Sequence, residues 1–157
     1  IRQPEFADKV FDITKYGAKT DAKPEVNQKA INKAIAACSK AGGGKVVVPE
    51  GTFLTGAITL KSHVNLVVEK GAVLEFVFKP ELYPIVLTRW EGLDCWNLSP
   101  CIYAYKETDI AITGEGTIDG GGTNDTWWKW CGSDRYGWKP GTISQRNGSR
   151  ARLLKMA

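Results

Sequence analysis

The apolar positions change period after Ala41. From Val26 to Ala41 they recur at spacings of three and four, at Val26, Ala30, Ile31, Ala34, Ile35, Cys38 and Ala41. That stripe predicts one amphipathic helix over about Pro24 to Ala41. Pro24 suits the first turn, where its missing N–H is harmless, and Gly42-Gly43-Gly44 stops the helix. From Lys45 the apolar residues fall instead in short β-branched runs broken by Gly and Pro. Val46-Val47-Val48 leads into Pro49-Glu50-Gly51. Phe53-Leu54, Ile58-Thr59-Leu60, Val64-Asn65-Leu66-Val67-Val68 and Val73-Leu74-Glu75-Phe76 follow. Such runs read as strands. No helix separates them, and their repetition predicts a β-solenoid, in which each coil buries its apolar face only by stacking on its neighbours.

The rest of the chain fits around this stack. Residues 1–20 read as an extended lead-in, with Val10 to Ile13 alternating and Tyr16-Gly17-Ala18 breaking it. The helix is predicted to plug the open end of the solenoid, where apolar core and strand edges would otherwise be exposed. Lys79 to Pro100 reads as loop, with Ile85-Val86-Leu87 as a short strand. Cys101 to Tyr105 and Ile110 to Thr113 resume strand character, and Gly114 to Gly120 continues the winding in tight turns. Beyond Gly132 the pattern predicts no element until Ala151-Arg152-Leu153-Leu154. A length of 157 residues predicts a single domain, 1–157. Residues 1–44 would form the lead-in strand and capping helix, and 45–157 the first coils and loops.

Charge and cysteines narrow the picture less. The formal charge is +4, and Lys139, Arg146, Arg150, Arg152 and Lys155 carry the excess; without them 16 basic residues face 17 acidic ones. A basic tail can attract a polyanion, though its commoner state is a solvated terminus. Cys38, Cys95, Cys101 and Cys131 have no metal-ligand spacing, so no metal site is expected. Cys38 lies on the apolar helix face and reads as a buried thiol; Cys95 and Cys101 could bridge a short loop. No apolar run is long enough to span a membrane.

Hydrolysis of a polymer needs two carboxyl groups across the scissile bond, one protonated and one ionised. Asp119, in a Gly-rich turn, has no second acid at a useful spacing and reads as a turn residue. Arg89, Trp90 and Glu91 could contact a sugar acid, through guanidinium, ring face and carboxylate respectively, or form an ion pair packed on a ring. Trp127, Trp128, Trp130 and Trp138 are dense enough for a sugar cleft, but packing onto a solenoid wall is the commoner fate of such rings. His63 stands without an evident partner and reads as structural. No nucleophile elbow or nucleotide-binding glycine motif occurs.

Four stretches together resemble polygalacturonase-type glycoside hydrolases (glycoside hydrolase family 28, pectate-lyase-like superfamily). They are Phe11-Asp12-Ile13-Thr14-Lys15-Tyr16-Gly17-Ala18; Gly42 to Gly51 after the helix; Leu60-Lys61-Ser62-His63-Val64; and Gly114-Glu115-Gly116-Thr117-Ile118-Asp119-Gly120 leading to Trp127-Trp128. Thr88 to Gly92 before Tyr103-Ala104-Tyr105 is similar to the exo-acting bacterial branch. The resemblance implies an all-β fold, a right-handed parallel β-helix with an N-terminal capping α-helix. It implies inverting hydrolysis of galacturonate linkages in pectin, with no cofactor and no metal, by a secreted or periplasmic protein whose partner is an acidic polysaccharide rather than nucleic acid or membrane. The family's Asn-Thr-Asp, Asp-Asp, Gly-His-Gly and Arg-Ile-Lys stretches do not occur in these 157 residues. No catalytic residue is therefore assigned in this chain, which is expected to be the N-terminal part of the enzyme and inactive alone. The alternatives are a non-catalytic β-helix module that binds polysaccharide, as a tailspike does, and a purely structural element with all its Trp in the core. A Ca²⁺-dependent lyase would need acidic clusters that the sequence lacks.

Overall fold

The structure, a computed structural model, describes residues 2–90, 92–142 and 144. They divide into two compact units, 1–77 with 100–120 and 78–99 with 121–157.

The first unit is a stack of parallel strands. β1 (Val10–Asp12), β2 (Gly44–Val48), β3 (Gly51–Thr55), β4 (Ile58–Thr59), β5 (Val64–Val68), β6 (Ala72–Phe76), β9 (Ile102–Tyr103), β10 (Ala111–Thr113) and β11 (Thr117–Asp119) belong to it. One stack runs β1-β2-β5-β10, a second β3-β6-β11, and a third pairs β4 with β9. Every pairing in the three stacks is parallel. The chain therefore makes successive passes over the same three faces: β2-β3-β4, then β5-β6-β9, then β10-β11. Parallel strands need long connections, and here the return path is made of strands rather than helices. In chain order, residues 78–99 of the second unit interrupt the second pass, between β6 and β9.

Inward side chains line up in columns through the register. Val46 sits over Leu66 and Leu66 over Ile112; Phe53 sits over Leu74 and Leu74 over Ile118. Val46, Leu66 and Leu74 are fully buried and Phe53 nearly so. Ile112 and Ile118 are 44% and 42% exposed, because among the described residues no strand pairs with the far edge of β10 or β11.

The helix α1 (Pro24–Lys40) covers the opposite end. Its buried face is Asn27, Ala30, Ile31, Ala34, Ile35 and Cys38. Val26 and Ala41, expected in the stripe, are exposed. Asn27, one position on from Val26, completes the i, i+3, i+4, i+7 spacing and takes the buried place. Its side chain accepts from the Lys19 amide at 2.9 Å and donates to the carbonyls of Lys19 and Leu54, each at 3.0 Å. Gln28 Nε2 donates to the Ala57 carbonyl at 2.8 Å, and the Thr59 amide donates to Asn32 Oδ1 at 2.8 Å. Three amide side chains thus bond backbone groups of Lys19 and of the first pass. The plug expected from the sequence is as much polar as apolar.

The second unit contains an antiparallel hairpin of β7 (Ile85–Trp90) and β8 (Leu93–Leu98). The sequence predicts loop here, with a three-residue strand at Ile85–Leu87. The hairpin is longer because the cross-strand ladder continues through the polar positions Thr88, Arg89, Asp94 and Asn97. The same unit has short 3₁₀ turns at Trp127–Cys131 and Asp134–Tyr136. The stretch Ala151–Leu154 and the basic residues Arg146, Arg150, Arg152 and Lys155 lie outside the described residues.

None of the four cysteines is in a disulfide. Cys38 is fully buried in α1, and burial pushes its thiol up against the smaller opposing pull of Lys9. The Cys95–Cys101 bridge that the spacing permits is not formed; Cys95 is buried within β8. Asp119 is not in a turn but closes β11, paired with Glu75.

Candidate functional site

Two surfaces of the second unit gather the residue types that suit a sugar acid. The first is the hairpin. Neighbours on a strand point to opposite faces, so Arg89 and Trp90 do not share one. Register puts Ile85, Leu87 and Arg89 on the same face as Asp94, Trp96 and Leu98. Arg89 Nε lies 3.4 Å from Asp94 Oδ1, with both side chains open to solvent. Trp96, 48% exposed, is the ring that shares the face with Arg89. The sequence triplet therefore separates: Arg89 goes with Asp94 and Trp96, Trp90 is half-buried on the other face, and Glu91 lies outside the described residues. Trp96 was missed because only cross-strand register brings it to Arg89, seven residues away.

The second surface is built from the tryptophan-rich turn. The structure divides those rings between packing and exposure. Trp127 meets Phe78 edge-on at 4.7 Å and Tyr83 at 5.0 Å between centroids. Its indole Nε1 is sealed from solvent without a hydrogen-bond partner. Trp130 also abuts Phe78 edge-on, at 5.6 Å. Trp128, 49% exposed, leans on Tyr136 at 6.4 Å. Trp138 is fixed by its indole N–H, which donates to the Thr142 carbonyl at 3.2 Å. Trp130 and Trp138, with Phe78, Lys129, Lys139 and Thr142, line a cleft of about 360 Å³. Among the described residues no carboxylate lines it.

In the first unit the chemistry is structural. Ser62 donates through its hydroxyl to Glu107 Oε2, and its amide donates to the same oxygen at 2.8 Å. The Ser62 hydroxyl bond, then the amide bond and Lys61, hold the Glu107 carboxyl below its ordinary range, against an opposing push from burial. His63 does have an acidic partner, Asp109, at 3.6 Å. Among the described residues no cluster of His, Cys, Asp and Glu could hold a metal ion.

The comparisons bear on what this arrangement belongs to. The chain is 37% identical over 124 residues to an exo-poly-α-D-galacturonosidase of Dickeya chrysanthemi, covering 73% of this chain and 20% of that protein. It superimposes on the crystal structure of a hyperthermoactive exopolygalacturonase from Thermotoga maritima with a TM-score of 0.87 and 39% identity, over 98% of this chain and 34% of that one. The chain belongs to the polygalacturonase-type glycoside hydrolases. It spans a fifth to a third of the length of these relatives. No family model matches it. This polygalacturonase-type chain is also similar, over a shorter stretch, to a protein of another description. Over 76 residues, 47% of the chain, it is 41% identical to a plasmin and fibronectin-binding protein A of Streptococcus pneumoniae, of which it covers 10%.

Proposed function

We propose that the chain is part of a pectin-degrading hydrolase that cleaves galacturonate linkages with inversion. The observation that carries this reading is the superposition on the exopolygalacturonase along 98% of the chain at 39% identity. In the finer reading of the fold, the three parallel stacks are the first passes of a right-handed parallel β-helix closed by α1. Such a solenoid presents a continuous flank to a linear polymer. The partner is an acidic polysaccharide, the setting is outside the cell or in the periplasm, and action is from a chain end. None of the described helices is long and apolar enough to cross a membrane.

The 157 residues hold and orient polymer; the acid and base are not assigned among them. An inverting hydrolase needs its two carboxyl groups about 6.5–9.5 Å apart, with room for the attacking water. Arg89, Trp90 and Glu91 remain candidates for contact with substrate, with Trp96 added by the hairpin register.

The test is release of reducing ends from polygalacturonate. The complete gene product should release them with inverted anomeric configuration at the new end, while the 157 residues alone release none. Release by the isolated chain would overturn the division of labour. Binding without turnover by the complete gene product would favour a polysaccharide-binding module instead.

A further inference from the structure

We propose that the cleft between Trp130 and Trp138 is a binding site for a uronate unit of an acidic oligosaccharide, with Lys129 and Lys139 recognising its carboxylate. This deepens the hydrolase reading and rests on it for the substrate class.

Two features make the cleft a site rather than a gap. Its rings are held in place: Trp130 by the edge contact with Phe78, and Trp138 by the hydrogen bond from its indole to Thr142. Fixed aromatic faces suit the apolar face of a sugar ring, because little conformational freedom is lost when the ligand arrives. Its charge is also one-sided. Each ring has a lysine beside it in sequence, Lys129-Trp130 and Trp138-Lys139, and both lysines line the cleft. Among the described residues neither lysine has an ion-pair partner. Elsewhere Lys45 pairs with Asp8 and Lys61 with Glu107. Two uncommitted ammonium groups beside aromatic walls favour a ligand that is itself anionic. The volume of about 360 Å³ falls at the lower end of the roughly 300–1,000 Å³ typical of small-molecule sites. The hollow lined by Trp127, Trp128, Cys131 and Tyr136 has rings but, among the described residues, no cation in its lining, Arg135 lying instead over the Tyr136 ring.

The test is titration of the 157-residue chain with trigalacturonate, followed by tryptophan fluorescence and by calorimetry, with the fully methyl-esterified trisaccharide as the neutral comparison. The acid form should bind, and the ester should bind about tenfold more weakly, the loss expected when one charge-assisted contact is removed. Lys139→Ala and Lys129→Ala should each reduce affinity for the acid while leaving that for the ester nearly unchanged. Trp138→Ala should weaken both. Should that variant fail to fold, Lys139→Ala carries the test, because that side chain is exposed. Equal affinity for acid and ester, lysine variants that bind as the parent does, or no binding at all would each overturn the site. The broader reading fails separately: a complete gene product that leaves polygalacturonate intact would overturn the hydrolase while a charge-selective cleft stood.

Discussion

His63 and Asp109 occupy the same turn position in successive passes of the chain, each two residues or fewer before its strand, and each in the left-handed backbone region. His63 has φ 65° ahead of β5 and Asp109 φ 49° ahead of β10. The His63 amide donates to the Thr108 carbonyl at 3.0 Å, and His63 Nδ1 lies 3.6 Å from Asp109 Oδ2. Gly43, φ 100°, is the matching residue one pass earlier, and the Gly44 amide donates to the His63 carbonyl at 3.0 Å. Left-handed residues thus stack in a column, one per pass, where the chain turns into the first face.

The column sets different demands on its members. A Cβ on Gly43 would lie 2.5 Å from the His63 carbonyl oxygen and 2.6 Å from the His63 Cβ. Gly43→Ala should therefore destabilise by about 2–4 kcal/mol, combining backbone strain with overpacking. His63→Gly should be tolerated, and His63→Val should cost about 1–2 kcal/mol, since a β-branched residue resists this backbone. The His63–Asp109 pair is partly open to solvent, so Asp109→Asn should move stability by less than about 1 kcal/mol. Urea denaturation at neutral pH measures all four.

Asn27 ties α1 to the first pass through three hydrogen bonds. Asn27→Leu keeps the branched shape of the side chain and adds apolar surface, yet it removes the partners of the Lys19 amide and the Leu54 carbonyl, while the Lys19 carbonyl keeps the Ala22 amide. We expect a loss of about 1–3 kcal/mol, the cost of unmade buried hydrogen bonds. Val26→Ala, one residue away on the exposed face, should change stability by less than about 0.5 kcal/mol. Equal costs for the two would overturn the assignment of faces.

Glu107 makes stability depend on pH. Its carboxyl is held low chiefly by the Ser62 hydroxyl, so the folded state prefers the ionised form more than the unfolded chain does. That contribution is fully present above the unfolded value of about 4.3. It is lost as pH falls through the lower folded value. Glu107→Gln should flatten the fall in urea midpoint below pH 5 relative to the parent. Ser62→Ala should flatten it in part, because the Ser62 amide and Lys61 remain. A variant whose acid profile overlays the parent's would refute this role.

Trp127 is held by ring contacts alone, since its indole N–H makes no hydrogen bond. Trp127→Phe removes an unsatisfied donor along with some contact area, and should cost about 1 kcal/mol or less. Trp127→Ala leaves a cavity and should cost about 3–5 kcal/mol. Thermal unfolding followed by near-ultraviolet circular dichroism distinguishes the two.

The sequence determined the local elements and their order. The 3.6-residue stripe of α1 and the β-branched runs between glycines are written in adjacent residues, so the helix, β2, β3, β5 and β6 were legible within a few positions. The resemblance in Gly42 to Gly51 and Gly114 to Gly120 carried the family. The tertiary structure decided what depends on partners far along the chain. Asn27 displaced Val26 from the buried face because backbone groups of Lys19 and Leu54 needed an amide, and no periodicity reports that need. The hairpin at Ile85–Leu98 was hidden because its ladder runs through polar residues, and the same register moved Arg89 away from Trp90 toward Trp96. The tryptophans around residue 130 read as one cluster in sequence, but packing against Phe78 and Tyr83 took Trp127 out of reach and left Trp130 and Trp138 facing a cleft between two lysines. Spacing fixes which residues can lie on one face of an element; only the contacts between elements fix which of those faces is closed.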